Sequence, residues 1–99
     1  MIYNYRIIVY DEDNREIKNI EPMLKELRLS ASIPRIWISA SLFSLKGIFL
    51  TEWKAIDKDI TALSRGFPHC RFVLSIEKYS IVKKYDYSFS QTFIGGKKI

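Results

Sequence analysis

Residues 51–76, TEWKAIDKDITALSRGFPHCRFVLSI, decide the fold, because they read as a helix, a sharp stop and a buried strand. Thr51 is placed to cap the helix, its hydroxyl accepting from one of the first free backbone N–H groups. Glu52 follows in the first turn, where a carboxylate sits well against the positive end of the helix. Trp53, Ile56, Ile60, Leu63 and Phe67 recur at three- and four-residue spacing, the mark of one apolar face. Lys54, Asp57, Lys58, Asp59, Thr61 and Arg65 are expected on the opposite face. Gly66 stands where a C-terminal cap calls for positive φ, and Pro68 forbids continuation. Phe72, Leu74 and Ile76 then alternate with Val73, Ser75 and Glu77, the two-residue period of a strand.

Upstream, residues 2–10 form a strand rich in tyrosine and β-branched side chains. Tyr3, Tyr5, Ile7 and Val9 share one face; Ile2, Asn4, Arg6, Ile8 and Tyr10 share the other. Asp11-Glu12-Asp13-Asn14 is a turn, since such side chains bond nearby backbone groups. Ile17, Ile20, Leu24 and Leu27 follow at helical spacing, and Pro22 is tolerated only in a first turn, so the helix is expected over residues 21–29. Residues 35–44 alternate cleanly, Lys46-Gly47 turns, and residues 48–50 return, which reads as a hairpin.

Downstream, residues 79–84 form a loose connection. Tyr85, Tyr87, Phe89, Gln91 and Phe93 alternate along a last strand that Gly95-Gly96 ends, with the final three residues expected to be mobile. The order is β-α-β-β-α-β-β in a single domain. Its class is α+β, two helices on one face of a mostly antiparallel sheet, with a ferredoxin-like split β-α-β core and an extra C-terminal strand as the natural topology.

Composition narrows the function classes. Ninety-nine residues with 47% hydrophobic content make a core large enough to fold without metal or disulfide. One cysteine, Cys70, leaves no internal disulfide, and the absence of a signal-like apolar run points to the cytoplasm. No apolar stretch approaches the roughly 20 residues of a membrane span, so no membrane association is expected. The formal net charge of +5 is distributed unevenly. Asp11, Glu12, Asp13 and Glu16 form an acidic turn, while Lys83, Lys84, Lys97 and Lys98 make the C-terminal third basic.

Catalytic and metal signatures are weak. His69-Cys70 is the only pair offering soft ligands, and strand neighbours point to opposite faces. A zinc site needs three or four ligands, and no second His or Cys exists. Asp57 and Asp59 diverge on a helix; Glu77 and Asp86 fit surface pairing with Lys78, Lys83 or Lys84 better than an acid dyad. Gly95-Gly96 opens no helix, so there is no phosphate loop. No cofactor, metal or enzymatic activity is expected.

Trp53, Asp59, Leu63-Ser64, Phe67-Pro68, Phe72-x-Leu74, Glu77, Asp86 and Gly96-Lys97 lie in an order that resembles small uncharacterised proteins of phages, archaeal viruses and mobile elements. The resemblance covers the C-terminal half. It implies a ferredoxin-like sheet, supplies no catalytic residues, and belongs to a source class in which inhibitors of host defence, anti-CRISPR proteins among them, are frequent.

Aromatic surface supplies the positive expectation. Tyr3, Tyr5, Trp37, Tyr85, Tyr87 and Phe89 present more ring area than two short helices cover, which suits a protein interface. The expected function is therefore non-enzymatic protein binding, as a homodimer or against a host protein that it occludes. The alternative is nucleic-acid binding through Lys83, Lys84, Lys97, Lys98 and the aromatic strand, although no Lys/Arg-Gly-Phe/Tyr-x-Phe run occurs.

Overall fold

A computed structural model describes residues 2–30, 53–79 and 87–99. In chain order they form β1 (Ile2–Tyr10), α1 (Glu21–Ser30), α2 (Ile56–Gly66), β2 (Arg71–Tyr79), β3 (Tyr87–Ile94) and β4 (Lys97–Lys98). The sheet order is β1-β2-β3-β4 and every described pairing is antiparallel. The architecture is α+β. The expected hairpin over residues 35–50 lies outside the described residues.

Register assigns the two faces of the sheet. Val9 pairs with Phe72 and Phe72 with Phe93; Ile7 pairs with Leu74, and Tyr5 with Ile76. Cross-strand partners share a face, and all of these side chains are buried. Met23, Leu24 and Leu27 of α1 and Ile56, Ile60 and Leu63 of α2 complete the same core. The opposite face carries Tyr10, Arg71 and Ile94 in one row, Ile8, Val73 and Thr92 in the next, then Arg6, Ser75 and Ser90.

Several local expectations hold. β1 has the predicted bounds, α1 starts at Glu21 with Pro22 in its first turn, and the acidic turn is built as expected. Asp11 accepts from the Arg15 amide through its carboxylate and from the Asn14 amide through its carbonyl. Asn14 adopts φ 63°, a left-handed position that Asn tolerates better than most residues.

Others are corrected. α2 begins at Ile56, later than expected, with Ala55 as N-cap and no side-chain cap; Thr51, the expected cap, lies outside the described residues. The start is displaced because Trp53 is drawn into the core ahead of the helix. Gly66 is the last helical residue without positive φ, and the C-cap is Phe67 at φ −132°. Positive φ falls instead on Gly95 at 56° and Gly96 at 82°, which turn β3 back into β4. The expected mobile tail is thus a paired strand, Ile94 with Lys97 and Phe93 with Lys98.

Candidate functional site

Of the six aromatic residues that the sequence offers to a partner, Tyr3 and Tyr5 have described side chains, and both pack toward the core. Tyr5 is 4% exposed, so it is not available to a partner. Its ring meets Trp53 edge-on at 5.7 Å between centroids, and its hydroxyl accepts from the Trp53 backbone N–H at 2.9 Å. Tyr3 stacks on Tyr5 at 6.2 Å, half-buried against the core, with Lys78 Nζ 5.8 Å from its ring centroid. The physical reason is register. The Tyr3–Val9 face of β1 is the one that the helices cover, and Trp53 fills the end of that layer.

Tyr87 and Phe89 pair in register with Lys78 and Ile76. Trp37, Tyr85, Lys83 and Lys84 lie outside the described residues, as does Asp86. Of the basic group, Lys98 forms an ion pair with Asp57 at 2.9 Å. Lys97 is exposed, in register with Ile94.

Asp59, expected on the exposed face of α2, is 9% exposed. Its Oδ2 accepts from the Trp53 indole Nε1 at 2.7 Å. Helical spacing puts Asp59 on the buried face, three residues after Ile56 and four before Leu63; its carboxylate, not its position, made it read as exposed. Ser64 is fully buried too. Its hydroxyl donates to the Thr61 carbonyl and accepts from the Gly96 N–H, both at 2.9 Å, pinning the β3–β4 turn onto α2.

Two cavities are lined by described residues. One of about 420 Å³ lies between α1 and α2, lined by Glu26, Ser30, Ala62, Leu63, Gly66 and Phe67. A second, of about 210 Å³, lies beside Tyr5 and Trp53 and takes its polar lining from Lys54, Asp57 and Lys78. Among the described residues, no three of His, Cys, Asp and Glu come together to hold a metal ion. His69 contacts Glu12 at 2.7 Å in the turn after α2. Cys70 is half-buried against the core, and burial, with Asp11 and Glu12 adding to it, pushes its thiol pKa upward. A thiol held protonated is a poor nucleophile.

What the described residues leave open is the sheet face turned away from the helices. Ile8, Val73, Thr92 and Tyr10 are half-buried there without joining the core, Ile94 is 40% exposed and Arg6 is exposed. Arg71 lies over the Tyr10 ring at 4.5 Å and donates to Asn14. The two faces of β1 are divided as its alternation predicts, and the Tyr3–Val9 face expected to meet a partner is the one packed on the helices. Compared with family models, curated proteins and solved structures, the chain matches none of them. Among the described residues, no helix is long and apolar enough to cross a membrane.

Proposed function

We propose that this chain is a non-enzymatic protein-binding protein whose contact surface is the open face of β1, β2 and β3. The observation that carries the reading is the row structure of that face. Ile8, Val73 and Thr92 run across its middle, with Tyr10, Arg71 and Ile94 beside them, and no described helix packs over them. β-branched and aromatic side chains ringed by arginine and serine suit a surface that a partner desolvates. A ferredoxin-like core is supported by the antiparallel pairing of β1 with the strand that follows α2. The resemblance to proteins of mobile elements supports the finer role, occlusion of a protein of host defence.

The test is capture from host extract by the immobilised protein and by an Ile8→Asp/Val73→Asp variant of unchanged circular dichroism. Proteins retained by the first and lost by the second support the face. Equal retention by both sinks it.

A nucleic-acid reading has one specific observation in its favour: Arg6, Arg71 and Lys97 fall on this same face by register. It predicts binding to single-stranded RNA or DNA that weakens steeply with salt. Fluorescence anisotropy with a labelled oligonucleotide at low ionic strength checks it, and a flat titration ends it.

A further inference from the structure

The open face has a charge pattern that fits itself. Along β2, Arg71, Val73, Ser75 and Glu77 point to the side away from the helices, since Phe72, Leu74 and Ile76 between them are buried. The cation stands at one end of this four-position stripe and the carboxylate at the other. A two-fold axis lying between two such faces, across the strands at the level of Leu74, reverses the strand direction. It brings Arg71 of one copy over Glu77 of the second, and Val73 over Ser75, twice each.

β1 and β3 follow by register. Ile8 pairs with Val73 and Arg6 with Ser75, so Ile8 of one copy meets Arg6 of the other. Thr92 pairs with Val73 and Ser90 with Ser75, so these two hydroxyl side chains meet as well. Aligned sheets pack about 10 Å apart, a separation that side chains from both faces fill. The same operation keeps every like-charged pair on the face apart: Arg71 does not meet Arg71, nor Arg6 meet Arg6. A two-fold running along the strands would instead set Arg71 against Arg71 and Glu77 against Glu77.

We infer that the occupant of the open face is a second copy of this chain, packed sheet to sheet about a two-fold axis, with Arg71 and Glu77 paired across it. The inference rests on the open-face reading above and names its partner. Arg71 and Glu77 each have a contact within their own subunit; a guanidinium with five donors can add the intersubunit bond to these. With nine residues in β2, the face is roughly 30 Å long at about 3.3 Å per residue, and at about 4.8 Å between strands it is narrow. That is below the standard interface size, so a reversible dimer is expected.

The experiment is sedimentation velocity in reductant across roughly micromolar to millimolar concentration, the range that reversible association of this kind covers. The proteins compared are wild type, Arg71→Glu, Glu77→Arg and the double exchange, each checked by circular dichroism. Wild type is expected to dimerise with rising concentration. Each single exchange sets like charges opposite one another and shifts the midpoint at least tenfold upward, and the double exchange restores it. A wild type that stays monomeric throughout overturns the second-copy inference, and the extract experiment then decides separately whether the face binds another protein. A dimer that all three variants form equally overturns this pairing. The Glu77→Arg protein keeps the test decisive if Arg71→Glu, which also loses its Asn14 and Tyr10 contacts, fails to fold.

Discussion

The Trp53 indole donates to Asp59 at 2.7 Å inside the core, one residue pair closing the gap between the chain entering α2 and the helix itself. Both partners are buried. Asp59→Ala leaves a buried N–H without its acceptor, a loss of about 1–3 kcal/mol. Asp59→Asn keeps an acceptor oxygen and is expected to lose less. Urea unfolding followed by tryptophan fluorescence gives the ordering, and an Asp59→Ala midpoint equal to wild type would show that the bond contributes nothing.

Tyr5 offers a cleaner test of the same layer. Tyr5→Phe preserves the edge contact with Trp53 and removes only the hydroxyl that accepts its backbone N–H. The expected loss is about 1 kcal/mol, the usual net worth of one intramolecular hydrogen bond with some desolvation cost added. Chemical unfolding measures it.

Ser64 ties β4 to the body of the protein through Gly96. Ser64→Ala removes that acceptor, so amide exchange is expected to quicken at Gly96 and Ile99 while β2 amides keep their protection. Uniform acceleration across the sheet would instead mean that Ser64 supports the whole fold.

The three glycines near this turn separate by backbone and by space. Gly96, at φ 82°, would place a Cβ 3.0 Å from Arg65 Nε and 3.2 Å from its Cβ. Gly95, at φ 56°, has open space around it. Gly95→Ala then costs about 1–2 kcal/mol for its left-handed backbone, and Gly96→Ala more. Gly66→Ala meets neither problem, and it is expected to stabilise the end of α2 by up to about 1 kcal/mol. Thermal midpoints rank the three.

What the sequence made legible depended on period. β1 and the start of α1 were readable to the residue because alternation and Pro22 leave little freedom. Which tyrosine-bearing face lay inside was not readable, because both faces of β1 carry apolar residues. Tyr5 and Ile7 on one side look no more buried than Ile8 and Tyr10 on the other until pairing with Ile76 and Leu74 assigns them. Asp59 was misplaced for a related reason: a carboxylate is read as solvated unless its donor can be seen, and Trp53 reaches it from outside the helix.

Cys70 carries a pH signature. Its thiol pKa lies above the ordinary 9.0, first from burial and then from Asp11 and Glu12. The folded state therefore holds its proton to higher pH than the unfolded chain. The stability this gives is complete below the unfolded pKa and is lost as pH rises through the folded one. Disulfide-reagent labelling should reach its half-maximal rate at a higher pH than a model thiol does, and Asp11→Asn with Glu12→Gln should move that point down. Labelling that follows a free thiol contradicts the assignment.

β4 is only two residues long, and both are lysines. Beyond it, among the described residues, the sheet has no further strand on that side. β4 covers β3 only at Phe93 and Ile94, and there a chain adding to the sheet must displace a short, lysine-bearing strand; along Tyr87–Thr92 no described strand lies beyond β3. The twin-glycine turn and the Ser64 hydroxyl that hold β4 in place thus shield that end of the β3 edge from another chain. Variants that release β4 are expected to show it first as fibrils or precipitate during concentration.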